Sequence, residues 1–357
     1  MNEPVASARP GRQHPIVSLT AARVLEFFRE PEAVFWMYVF PLFLVLALGA
    51  AFRNRPVEAF RVSVVAGPEA ERITAALNAD KRFKAVVSDD AEARLRLRSG
   101  RVDLVLAAAA GRKNEYVYSY DPTRAASVLA RNAADDLLQR AAGRRDVLAT
   151  EEREVNEPGG RYIDFLVPGL LGMGLMGGGM WGVGYAIVDM RIRKLLKRYL
   201  ATPMKRSHFL ASVIGSRILF ALPEVALLLV FARLVFDVRS EGSYLAIGLL
   251  IVLGALQFSG IGLLVASRAQ TIEAISGLMN AVMLPMWIGS GIFFSNERFP
   301  DAVQPLLFLL PLTPLIHAMR SIMLEGATLL AVWTDVAIVA AWIVTTFVLA
   351  LRWFRWH

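Results

Sequence analysis

The chain has 357 residues, of which 55% are apolar, with a formal net charge of +8 and no cysteine. The missing cysteines exclude disulfides, thiolate metal sites and a cysteine nucleophile. The apolar share exceeds the about 45–50% of an ordinary soluble domain, and it is gathered into blocks of about 20 residues, the length of a helix that crosses a bilayer; a soluble globular protein is thereby excluded and a polytopic α-helical membrane protein expected.

Residues 1–16 hold three prolines and a glycine without apolar periodicity and read as a cytoplasmic tail. In the segment that follows, Val17, Ala21, Val24, Leu25 and Phe28 fall on one helical stripe, with Arg23, Glu26 and Arg29 elsewhere on the wheel. That pattern predicts a helix lying in the membrane interface. Pro31 marks the bend into the first apolar block, because proline is poorly tolerated inside a continuing helix. The organisation is thus a tail and interfacial helix over 1–32 and a first span over 33–52. Polar residues precede that span at length, unlike the short basic start of a cleavable signal peptide, so it is expected to be a retained anchor.

Residues 53–161 are polar and alternate between strand and helix patterns. Strands are predicted over 60–66, 83–87, 102–107 and 115–120, and helices over 68–78, 91–98 and 123–142. Such alternation predicts a small α/β sandwich. Asp89 beside Asp90 reads as a helix N-cap rather than a metal pair, and Tyr116, Tyr118 and Tyr120 share a strand face at period two, as packing residues do. The Glu157-Pro158-Gly159-Gly160 run is a linker by composition.

The region 162–357 carries five further apolar blocks. The second span, 163–188, contains eight glycines, at 169, 172, 174, 177, 178, 179, 182 and 184. Each costs about 1 kcal/mol in a helix interior relative to alanine. Gly174, Gly178 and Gly182 repeat every four residues, the spacing that lets two helices touch; the same stripe would serve a helix that slides during transport. After it, Ile192, Leu195, Leu196, Tyr199 and Leu200 form an apolar stripe over 189–200, with basic residues on the other faces. A short basic amphipathic helix between spans is either a lipid anchor or a docking element for a partner. Spans three to six are predicted over 209–236, 245–266, 272–294 and 329–351. The apolar segment 303–316 is broken by Pro305, Pro311 and Pro314 and predicts a re-entrant or surface hairpin on the outer side.

The charge follows topology. Arg191, Arg193, Lys194, Lys197, Arg198, Lys205 and Arg206 cluster between spans two and three, and the loop between spans three and four has Arg239 alone. Basic residues beside span ends mark the cytoplasmic side. Both termini are therefore expected inside and residues 53–161 outside, and the basic excess meets anionic lipid rather than nucleic acid. Among the ionisable residues in apolar blocks, Arg217 and Arg233 lie near span ends, where they can snorkel, and Glu273 and Asp335 sit near the starts of theirs. Glu224, after Pro223 near the middle of span three, stands for a central path or for a structural pair with a neighbouring helix. No G-x-x-x-x-G-K-[ST] loop, His-Glu-x-x-His motif or Ser/His/Asp grouping is present.

The run from Tyr162 to Leu210 resembles the ABC-2 family of ABC-transporter permeases. The likeness is carried by Leu166-Val167-Pro168-Gly169-Leu170, the glycine-rich core, and the basic loop in which Ala201-Thr202-Pro203 is followed by Ser207-His208-Phe209-Leu210. The plan of interfacial helix, one span, large outer domain and five spans with a broken outer hairpin resembles it too. The resemblance implies an export permease in the plasma membrane, paired with a second permease copy. It further implies a separate ATPase subunit that holds ATP and magnesium, so that this chain binds no cofactor and is not itself an enzyme. It points to Arg191, Ile192, Lys194, Leu195, Leu196, Arg198 and Tyr199, with Arg23 and Glu26 of the interfacial helix, as docking residues. Two competing readings are a ligand-sensing or anchoring protein that uses the α/β domain, and a proton-coupled transporter that uses Glu224.

Overall fold

The computed structural model describes residues 15–52, 59–109, 115–145, 148, 151, 160–201 and 206–354. The tail up to residue 14, linker residues 157–159, Thr202 and Pro203 lie outside them. The chain divides into two compact units, one formed by 1–53 with 156–357 and the other by 54–155.

In the smaller unit four strands, β1 (Phe60–Val65), β2 (Phe83–Ser88), β3 (Leu104–Ala108) and β4 (Tyr116–Ser119), form one sheet in the order β2-β1-β3-β4. The first three run parallel and β4 is antiparallel to β3. Parallel neighbours require crossover helices, supplied by α4 (Ala70–Asn78) and α5 (Asp90–Arg98). Alternation along β1 puts Val62 and Val64 on the face covered by α4 and α6 (Ala125–Ala141), while Val65 joins Ala93, Val102 and Val105 on the opposite face. Asp89 caps α5, its carboxylate accepting from the Glu92 amide. Tyr116 and Tyr118 pack against the first of these cores; burial, with Asp135 alongside, pushes the Tyr118 phenol above its ordinary value.

A buried carboxylate ties this unit together. Asp103 accepts from the Arg61 amide at 3.0 Å, from the Arg61 guanidinium at 3.2 Å and from Arg124 at 3.3 Å. Replacing Asp103 by alanine leaves that amide without its partner, and a loss of about 1–3 kcal/mol is expected. Limited proteolysis of the full chain should show earlier cleavage between residues 54 and 155; an unchanged cleavage rate would contradict the role given to this carboxylate.

Among its described residues the larger unit contains six helices long and apolar enough to cross a membrane: Pro31–Phe52, Tyr162–Ile192, Ser207–Phe236, Tyr244–Ala266, Ile272–Gly289 and Trp333–Trp353. The first comprises α2 (Pro31–Val34), a π-helical turn (Phe35–Val39) and α3 (Phe40–Phe52). The others are α7 (Tyr162–Ile192), α9 (Arg206–Phe236), α10 (Tyr244–Ala266), α11 (Ile272–Gly289) and α14 (Trp333–Trp353). Two of them, α7 and α10, are buried along most of their length and form the centre of the bundle. The amphipathic helix α1 (Pro15–Phe28) packs on α9, where the rings of Phe27 and Phe220 lie 4.4 Å apart.

Three features depart from the sequence expectation. The fifth span ends at Gly289 rather than 294, because the chain turns through Gly291 at φ +78°. The segment expected as a hairpin over 303–316 is a short α12 (Gln304–Phe308) followed by α13 (Leu312–Glu325), which continues nine residues beyond it. Pro314 does not break α13 because it stands in the first turn, where its missing N–H has no helical acceptor to lose. The helix expected over 189–200 is two pieces: α7 runs on to Ile192, Lys194 takes a left-handed φ of +58°, and α8 (Leu195–Leu200) starts anew. The break follows from packing, since it turns Leu196 into the core while Ile192 stays 46% exposed.

Candidate functional site

The glycine face of α7 does not meet another backbone at Gly174, Gly178 and Gly182. A β-carbon at Gly174 would collide with the Glu224 carboxylate, and one at Gly182 with the Arg217 guanidinium; at Gly178 the nearest atoms are Met37 Cε and Glu224 Oε2, at 3.5 and 3.9 Å. The stripe expected to join helices instead makes room for two charged side chains of α9. Close backbone approach is left to other glycines. A β-carbon at Gly179 would stand 2.6 Å from Phe258 Cβ, one at Gly169 2.5 Å from the Ile292 carbonyl, and one at Gly184 3.0 Å from the Gly262 carbonyl.

Glu224 and Arg217 lie seven residues apart on α9, two turns on one face. Both line a cavity of about 670 Å³ bounded by α1, the first span, α7, α9 and α11. Glu224 is only 7% exposed, and among the described residues no hydrogen bond or ion pair reaches its carboxylate. Among the described residues it therefore forms no structural ion pair with a neighbouring helix. Arg217 does not reach outward: its guanidinium fits against Gly182, 5.5 Å over the Phe220 ring. The apolar lining includes Trp36, Met37, Met173, Trp181, Met283 and Trp287. At the end marked by α1 the wall is charged but compensated. Arg23 pairs with Glu26 at 3.2 Å and its other nitrogen lies 2.7 Å from the Met190 sulfur, while Arg193 pairs with Asp189 at 2.9 Å.

The residues expected to dock a partner separate into three groups. Ile192, Lys194 and Arg198 are exposed, as are Arg193 and Lys197. Leu196 is buried, and Leu195 is half-buried and lines the cavity. Arg191 faces inward: its guanidinium donates to the carbonyls of Ala266 (3.0 Å), the last residue of α10, and of Ser267 (3.3 Å) and Ala269 beyond it, and lies 5.6 Å over the Phe354 ring. A cation there satisfies orphan carbonyls of a helix C-terminus. The Tyr199 side chain lies outside the described residues.

Sequence reasoning missed Arg217 as an inward residue, although its i,i+7 spacing to Glu224 was visible. It also missed Arg320, which donates to the Phe165 and Gly291 carbonyls at 3.1 and 2.8 Å and stacks 3.7 Å over the Phe165 ring. Nothing in the local pattern marks that residue. His317 Nδ1 meets the buried Asp335 carboxylate at 2.8 Å, fastening α13 to the start of α14.

Residues 32–352 match a family model described as ABC-2 family transporter protein. The inner membrane transport permease YadH of Escherichia coli strain K12 is 27% identical over 159 residues, covering 44% of this chain and 62% of that protein. ABC transporter G family member 20 of Dictyostelium discoideum is 28% identical over 191 residues, covering 52% of this chain and 26% of that protein. The chain therefore spans less than two thirds of either relative.

Proposed function

The chain belongs to the ABC-2 family of transporter proteins, whose members work with ABC ATPase subunits, and from that premise we propose that this multi-pass membrane protein is the permease of an ATP-driven exporter. Hydrolysis takes place on a nucleotide-binding subunit outside these residues, which contain no phosphate-binding loop. Two permease copies face each other in the membrane, with both termini and the 192–198 turn in the cytoplasm and the α/β unit on the outer side, as the positive-inside rule favours.

One observation carries the coupling. The helix α7 is continuous from Tyr162 to Ile192, so the exposed Ile192 at its end, directly before the basic turn, is joined through one helix to the glycine face that seats Glu224 and Arg217. An acidic groove on the ATPase that grips Ile192, Lys194 and Arg198 can thereby move the cavity wall. The interfacial helix α1 provides a second lever, because it reaches α9 through Phe27 and the cavity through Arg23.

Reversing charge at Lys194 and Arg198 together, each to glutamate, is expected to lower the ATPase retained on the purified permease at least about tenfold, since charge reversal against an acidic surface is repulsive. Membrane insertion should be unchanged because both side chains are exposed. ATPase retained in full, with transport intact, would refute this docking surface. Leu196→Asp is a poor probe by comparison: it places a charge in the core and would act through folding. Transport by the purified chain without nucleotide would favour proton coupling through Glu224 instead.

A further inference from the structure

The cavity holds a carboxyl and a guanidinium at fixed spacing, neither with a hydrogen bond or ion pair among the described residues, and we infer that it binds a zwitterionic amphiphile, its amine toward Glu224 and its acidic group toward Arg217, with an apolar body against the tryptophan and methionine lining. The inference deepens the permease reading and rests on it, because it names the class of molecule the cavity holds.

A carboxylate held in an apolar protein interior is expensive unless a counter-charge or hydrogen bonds reach it. Apart from the exposed Glu30, the other ionic groups lining the cavity have such partners: Arg23 has Glu26 and Arg193 has Asp189. Glu224 and Arg217 have neither a hydrogen bond nor an ion pair among the described residues, and the helix separates them by about 10 Å of rise. The fold does not bring them together. It spends glycines at 174 and 182 to seat them facing the same space.

A space of about 670 Å³ is the size of a site for a small organic molecule. A lipophilic cation would answer Glu224 and be opposed by Arg217, and an anion would meet the reverse. A molecule with both charges answers both. Its apolar body matches Trp36, Trp181 and Trp287, aromatic faces that also favour an alkylated amine.

The test uses the purified full chain in amphipol and three single-chain probes of equal length: an alkylphosphocholine, an alkyltrimethylammonium and an alkyl phosphate, titrated calorimetrically below their micelle-forming concentrations. The phosphocholine should bind at least about tenfold more tightly than either probe of a single sign, the loss expected for one desolvated charge contact. Glu224→Gln should erase its advantage over the alkyl phosphate, and Arg217→Gln its advantage over the ammonium. Gly177→Phe tests the space without touching either charge, because no atom lies within 4 Å of a β-carbon at Gly177; it should weaken all three probes alike. Equal affinity for the three probes, or preference for the ammonium, overturns the inference, and both results are read on the unaltered protein. In nanodiscs, loss of probe binding on changing phosphatidylglycerol to phosphatidylethanolamine would assign the site to the membrane's own lipids. Undiminished binding would assign it to a ligand from outside the bilayer, and either result keeps the zwitterion site. No ATPase is present in these measurements, so failure of the docking experiment and failure of this one are separable.

Discussion

Arg320→Ala is expected to destabilise the membrane unit by about 3 kcal/mol, among the larger single-residue effects. The guanidinium of α13 donates to two carbonyls that belong to different elements, Phe165 in the first turn of α7 and Gly291 in the turn after α11, and it stacks on the Phe165 ring. Hydrogen bonds from a charged donor contribute about 1.5–3 kcal/mol each and the ring contact about 0.5–2 kcal/mol. Relief of the buried charge offsets part of that sum. The turn at Gly291 should loosen first, since no other side-chain bond to that carbonyl is seen among the described residues. Heating the detergent-solubilised protein and following the monodisperse peak would show the loss as a lower midpoint. Arg320→Lys should recover less than half of it, because a lysine ammonium lacks the planar fork that reaches two carbonyls and stacks on a ring at once. A midpoint equal to the parent's in the alanine variant would disprove the clamp.

Gly179→Val is the second large effect, with a cost of about 2 kcal/mol expected from overpacking. At this crossing α7 and α10 are so close that an added β-carbon falls 2.6 Å from Phe258 Cβ and 3.1 Å from the Ser259 amide nitrogen. Backbone cannot move aside as a flexible side chain can, and both helices are central to the bundle. The comparison is Gly177→Val, two residues away. There the β-carbon meets nothing, and the helix gains because glycine is a poor helix former. Thermal midpoints of the two variants should differ by several degrees in opposite senses about the parent. Equal midpoints would mean that the α7–α10 crossing yields more readily than a packed interior should.

Much of the fold was legible in the sequence. Length and apolarity identify the six spans, and the strand and helix boundaries in 60–142 fall within a few residues of those observed, since each rests on local periodicity. The N-cap at Asp89 was readable for the same reason. The site was legible only in part. Glu224 stood out through the cost of a charge in an apolar block, but Arg217 looked free to snorkel, because sequence gives depth along a helix and not the direction a side chain takes around it. The apolar stripe after α7 shows the same limit: the pattern at 192, 195, 196 and 199 is continuous, yet Lys194 in the left-handed region ends one helix and starts another, dividing Ile192 from Leu196.

The amino-acid sequence by itself determined that the chain crosses a membrane, that an α/β unit interrupts its spans, and that its basic residues gather beside α8. These follow from transfer free energy, backbone propensity and net charge, which are sums over neighbours in the chain. Tertiary structure alone decided which glycines of α7 touch backbone and which shelter charge, and whether Arg191 faces a partner or the carbonyls of Ala266 and Ser267. It also decided that Glu224 and Arg217 share one cavity while neither reaches the other. Each of those outcomes depends on how helices distant in sequence rotate against one another, and that rotation is fixed by close packing across the whole bundle.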